Sequence, residues 1–155
     1  MQSIADLTAA TPALAALAPR HLELIAGCGQ MAHFRADEPL FRVGEPAGRF
    51  YVIRRGSVAL ELAVPQHEPV TIETLHDGEL LGWSWLFEPH RWMFDAHALE
   101  DTSAIEFDGA CLRGKCESDH ELGYQLMRRF AAVLTARLQA TRLQLLDVYG
   151  GHRVR

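Results

Sequence analysis

The hydrophobic period of the chain changes twice, and that change excludes most folds. Between Met31 and Phe107 the apolar residues fall in short alternating runs broken by turn residues, while on either side they recur at helical spacing. Phe50 to Ile53 is aromatic and β-branched and ends at the Arg55-Gly56 turn. Ser57 to Leu62 alternates, with Val58, Leu60 and Leu62 on one face and Ser57 and Glu61 on the other. Pro65 to Pro69 makes a polar turn, Val70 to Leu75 resumes with Val70 and Ile72 apolar, and Ser103 to Phe107 alternates through Ile105 and Phe107. Short strands at this spacing, mostly without helices between them, predict an antiparallel β-barrel or jelly roll, the double-stranded β-helix. The expected class is mainly β with flanking helices (α+β). The 155 residues suit a single domain, with N-terminal helices over 1–30, the barrel over 31–107, and a hinge helix and long C-terminal helix over 108–149.

The flanks carry helix signals. Thr11 offers an N-cap with Pro12 at the first helical position, and a second helix is expected from Pro19 to the stop at Gly27 and Gly29. Asp108 caps a short helix through Leu112 to about Glu117, and Ser118 with Glu121 forms a capping box for a longer one. That longer helix carries a seam of Tyr124, Met127, Ala131, Leu134, Leu138, Thr141, Leu145 and Val148, whose steps of three and four are those of a helix paired with another. A second stripe, Leu122, Leu126, Phe130 and Val133, suits the chain's own barrel. Two stripes need two surfaces, or else form one broad intramolecular face; homodimerisation through this helix is the expectation. Gly150 and Gly151 are expected to end it.

A formal net charge of −5 argues against non-specific binding to nucleic acid or anionic membrane, and no apolar run approaches the ~20 residues of a membrane span. Met1 to Ala10 lacks the basic residues of a signal peptide. Cys28, Cys111 and Cys116 cannot all pair among themselves and form no C-x-x-C unit, so free thiols in a reducing cytoplasm are expected. The histidines are scattered without metal-ligand spacing, and no nucleophile or paired carboxylates stand in a catalytic pattern. Neither metal, cofactor nor enzymatic activity is expected.

Gly44-Glu45 followed by Phe50-Tyr51-Val52-Ile53-Arg54-Arg55-Gly56-Ser57-Val58, then Gly78-Glu79-Leu80, then Ala98-Leu99-Glu100-Asp101-Thr102 resembles one family in order and spacing. It is the cyclic-nucleotide-binding domain of catabolite activator protein, its bacterial relatives and the regulatory subunits of cyclic-nucleotide-dependent kinases. The resemblance implies that Gly78, Glu79 and Leu80 open a phosphate-binding cassette, with a short helix after Gly78 presenting amides to a cyclic phosphate. Glu79 then either contacts a ribose 2′-OH or is a helix-start carboxylate. Arg91 either neutralises the phosphate or is a surface arginine. Counting back from Ala98 puts Trp92 at the family's arginine position, so Arg91 serves only across a bulge, and Met93 and Phe94 stand where small residues are usual. The tryptophans either stack on a flat ligand or form core. Arg137-Leu138-Gln139-Ala140-Thr141 resembles the long helix of catabolite activator protein, making Thr141 a base contact or a register-setting polar residue. His97 is expected to be a hydrogen-bonded structural histidine.

The family's transcription factors continue into a helix-turn-helix, for which the residues after Tyr149 are too few. The expectation is therefore a stand-alone sensor without direct DNA contact. It would bind cyclic AMP, cyclic GMP or another small anionic ligand and signal to a protein partner by moving the long helix. The alternative is a degenerate barrel, plugged by Trp92, Met93 and Phe94, acting as an interaction or scaffold subunit.

Overall fold

The computed structural model describes residues 2–153. Helices α1 (Ile4–Ala9) and α2 (Pro19–Ala26) precede strands β1 (Gly29–Phe34), β2 (Pro39–Phe41), β3 (Arg49–Arg55), β4 (Val58–Leu62), β5 (Val70–Leu75), β6 (Leu80–Leu81), β7 (Asp95–Ala98) and β8 (Thr102–Asp108). Helices α3 (Gly109–Ser118) and α4 (His120–Arg153) follow. The strands form two antiparallel four-stranded sheets, ordered β1-β8-β3-β6 and β2-β7-β4-β5. This is the jelly-roll arrangement, with two facing sheets rather than a closed barrel. The strands β6 and β2, two and three residues long, are too short to carry a hydrogen-bonded ladder around the edge.

Alternation along β3 divides the core. Phe50 and Val52 face the helices and pack with Phe107, Leu112, Leu126 and Phe130, while Tyr51 and Ile53 face the other sheet and pack with Val58, Leu60, Leu75 and Ala96. On the helix side Phe50 stacks on Phe107 at 4.6 Å and on Trp85 at 5.0 Å, and Phe130 closes edge-on to Phe50 at 5.3 Å. Fully burying one such side chain stabilises by roughly 1.5–3 kcal/mol. The β3–β4 turn depends on Gly56, whose φ of 118° is one that L side chains avoid and whose added Cβ would lie 2.4 Å from the Thr102 hydroxyl.

Several local expectations change. Thr11 is no N-cap: its hydroxyl donates back to the Leu7 carbonyl at 3.0 Å. The capping box lies upstream, between Ser3 and Asp6 at the start of α1. The cap of α4 is Asp119, which accepts from the Leu122 amide at 3.1 Å, rather than Ser118, which remains inside α3. Gly150 and Gly151 do not stop α4, which runs to Arg153. Leu62 lies exposed at the end of β4, and Val70 and Ile72 lie exposed on the edge strand β5, where a bulge leaves Ile72 unpaired with β4. The thiol expectation is also corrected, because Cys28 and Cys111 are joined in a disulfide and only Cys116 is free.

Candidate functional site

The β3 backbone reaches past Ile53 to fix the segment from His76 to Leu81. The Gly78 amide donates to the Ile53 carbonyl at 2.7 Å, and the Ile53 amide donates to the Glu79 carbonyl at 3.0 Å. The Glu79 amide donates to the His76 carbonyl at 3.1 Å, and the Glu79 carboxylate accepts from the His76 amide at 2.7 Å. Both amides expected to face an anion are therefore already committed, that of Gly78 to β3 and that of Glu79 to the turn. Leu80 and Leu81 continue as β6 against Val52 and Tyr51, so a strand, not a helix, follows Gly78.

The helical turn opens four residues later. Gly82 has a φ of 100°, and the Leu86 amide closes the turn on the Trp83 carbonyl at 3.0 Å. The space over Gly82 is taken, since a Cβ there would lie 2.8 Å from the Trp92 ring. Trp92 is buried and stacks on Phe41 at 3.6 Å with planes 7° apart. Phe94 lies 5.8 Å from Phe41 and 6.2 Å from Trp83. Alternation sends Met93 outward, 64% exposed, so of the three residues expected to plug the interior only Trp92 and Phe94 are buried.

Arg91, one residue from Trp92, also points outward. Its guanidinium donates to the Gly44 carbonyl at 2.8 Å, and its backbone bridges to Pro46. Gly78 instead lies against Pro12, so Arg91 and Gly78 belong to different places on the molecule. Thr141 is exposed on α4 and donates to the Arg137 carbonyl at 2.9 Å. His97 projects from β7 between buried Ala96 and Ala98, with its Nδ1 3.4 Å from Glu61.

A polar site that the sequence reading passed over is Arg137. It extends the buried stripe of α4 by one further helical step after Val133, and the stripe's spacing was the signal that pointed to it. The guanidinium lies over the Trp83 ring at 5.3 Å, donates to the Leu80 carbonyl and stands 3.5 Å from the Glu73 carboxylate. Its Nη1 is buried and finds no hydrogen-bond partner among the described residues. Burial lowers the Arg137 pKa from its ordinary value, against the favourable fields of Glu73 and Glu79. Burial likewise raises the Glu73 pKa, with Glu79 adding to the rise and Arg137 opposing it. Around these groups lies an open cavity of about 360 Å³, bounded by Pro12, Glu73, Gly78, Glu79, Leu80 and Arg137. Three expected site residues thus come together with Arg137, while Arg91 and Thr141 do not line this cavity. Among the described residues no three His, Cys, Asp or Glu side chains cluster for a metal, and no helix is long and apolar enough to cross a membrane.

Comparison with known proteins agrees with this architecture. A curated relative, the CRP-like cAMP-activated global transcriptional regulator of Mycobacterium tuberculosis, is 26% identical over 119 residues. The match takes in 77% of this chain and 51% of the regulator, so the chain spans about half the length of the curated relatives it matches. A candidate cyclic nucleotide-binding protein from Geobacter metallireducens GS-15 superposes with a TM-score of 0.79 at 26% identity, over 89% of this chain and 99% of that one. Thermus thermophilus catabolite activator protein superposes with a TM-score of 0.70 at 24% identity, over 90% and 63%. The regulatory domain of Toxoplasma gondii PKA, solved with cAMP, gives a TM-score of 0.69 at 14% identity, over 83% and 49%. The last two establish likeness of fold. The model of the cyclic nucleotide-binding domain matches residues 31–119, more than half the sequence, and the chain belongs to that family.

Proposed function

We propose that this chain is a non-catalytic regulatory module whose nucleotide cradle is filled by its own indole and whose output runs through α4. One observation carries the reading: Trp92 lies against Gly82, where a phosphate would need to approach the backbone. The stacked Phe41 fixes the indole in place, and displacing it would expose two buried aromatic rings to water. Calorimetric titration with cyclic AMP and cyclic GMP tests this, with no heat expected at millimolar nucleotide. A saturating isotherm for either would overturn it.

The exposed seam supplies the output surface. Tyr124, Met127, Leu138, Leu145 and Val148 are each between 43% and 61% exposed, while Leu122, Leu126 and Phe130 on the other stripe are buried. The seam suits a second copy of α4 in a homodimer, whose arrangement a protein partner would read. Sedimentation is expected to give a dimer for the natural chain and a monomer for the double substitution Leu138→Glu, Leu145→Glu.

A second reading is favoured by the partnerless Nη1 of Arg137. In it, a small anionic ligand, cyclic AMP or cyclic GMP included, enters the cavity between α4 and the Gly78 turn and shifts the population of α4 positions. A thermal-shift response to anions that disappears in Arg137→Met would support it, and a response unchanged by that substitution would exclude it.

A further inference from the structure

We propose that Cys28 and Cys111 form a reversible redox-modification site, taking a low-molecular-weight disulfide as co-reactant, whose oxidation clamps the base of α4. The two residues stand 83 apart in sequence, yet the fold brings their Cα atoms to 5.8 Å and bonds their sulfurs. Cys28 occupies the junction between α2 and β1, and Cys111 lies in the first turn of α3, the element that joins the sheets to α4. The Asp108 amide donates to the Cys28 carbonyl at 2.9 Å and so holds the start of α3 at this junction whatever the state of the thiols.

Two non-covalent links continue the same contact. Lys115 donates to the Leu24 carbonyl at 2.7 Å, and Arg20 pairs with Asp119 at the junction of α3 and α4. The second is solvent-exposed on the arginine side and belongs to the weak class of ion pairs. The covalent bond is thus the strongest fastening between α2 and α3.

Access is provided by an open polar cavity of about 320 Å³, lined beside the two cysteines by Gln30, Arg49, Glu106 and Asp108. Cys111 is half-buried and Cys28 buried, so Cys111 is the thiol that an incoming reagent meets first. Cys116 is set apart, because burial raises its pKa and the neighbouring Glu117 and Asp119 raise it further, so its thiolate is scarce.

The chemistry balances without a metal or an external electron carrier. The Cys111 thiolate attacks one sulfur of the small disulfide, forming a mixed disulfide and expelling one small thiolate. The Cys28 thiolate then attacks the Cys111 sulfur and expels the second. Two protein thiols are oxidised, one small disulfide is reduced to two thiols, and the two protons leave with them. Excess small thiol runs the same steps backward.

The test poises the natural chain in mixtures of glutathione and glutathione disulfide, traps free thiols by alkylation, and follows hydrogen exchange in α3. Cys28 and Cys111 are expected to titrate together as one two-electron couple while Cys116 stays alkylatable throughout. Exchange of the α3 amides is expected to be about tenfold slower in the oxidised state. Cys116→Ser should behave as the natural chain, and Cys111→Ser should exchange rapidly at every ratio. Three results would overturn the proposal: Cys28 and Cys111 titrating at different ratios, a bond that no ratio reduces, or identical α3 exchange in both states. The decisive comparison uses one unmodified protein in two redox states, so a variant that fails to fold leaves it intact. Its outcome is also separate from whether any nucleotide binds.

Discussion

Two aromatic clusters lie on opposite faces of the β3 strand, and they differ in what they exclude. On the helix side Phe50, Phe107, Trp85 and Phe130 join the sheet to α4. Between the sheets Phe41, Trp92 and Phe94 cluster, and the Trp92 ring takes the space over Gly82. The first cluster excludes water from a joint between elements. On the function proposed above, the second fills a cradle that would otherwise take a ligand. Similar rings at similar spacings thus serve stability in one layer and occupancy in the other, and the backbone beneath decides which: strands under Phe50, a glycine turn under Trp92.

Truncating each cluster separates the two roles. Phe130→Ala has the larger expected effect on stability, about 4–5 kcal/mol, because it empties a closed site joining α4 to the sheet. Its denaturation midpoint should fall, and α4 should lose exchange protection with it. Trp92→Ala is expected to cost less, about 3 kcal/mol, since the vacated space opens toward a cleft of about 300 Å³ beside Tyr51 and Arg49. It should also gain a calorimetric response to small phosphate-bearing ligands that Phe130→Ala lacks. Equal losses with no gained binding would erase the distinction between the clusters.

The smallest effect concerns pH at the boundary of the two layers. Burial raises the Glu73 pKa above its ordinary 4.5, so the folded state binds this proton more tightly than the unfolded chain does. The stabilisation is fully present below the unfolded value and is lost as pH rises through the folded one. Denaturant midpoints of the natural chain should therefore decline with pH above about 4.5, relative to those of Glu73→Gln, by a small amount because water screens this half-buried carboxylate. Parallel profiles would show that Glu73 does not feel its burial.

Much of this arrangement was legible in the residues. Alternation located β3, β4, β5 and β8, and the two stripes of α4 separated a buried face from an exposed one before any coordinates. The failures share a cause, which is that hydrogen-bond register over long separations leaves little local trace. Gly78-Glu79-Leu80 has the family's letters, yet Ile53 draws that segment into a strand and moves the helical turn to Gly82. The bulge that leaves Ile72 without a partner on β4 shifts the β4–β5 register without altering the alternating pattern. Cys28 and Cys111 meet only because β1 and β8 pair, with Gly29 opposite Phe107. The stripe of α4 was followed only through its apolar members to Val133, and Arg137, its next member by spacing, carries a charge.

The length of α4 has a mechanical corollary. Its 34 residues make a rod of about 51 Å at the usual rise per residue. Residues 141–149 are all exposed, so the rod's far end projects beyond the half that Leu122, Leu126, Phe130 and Arg137 dock. By rigid-rod geometry a tilt of about 5° at the root would swing the tip by about 4 Å, enough to change which side chains meet across a helix pair. In the dimer proposed above, rearrangements too slight to notice at the root would become full changes of partner at the tip.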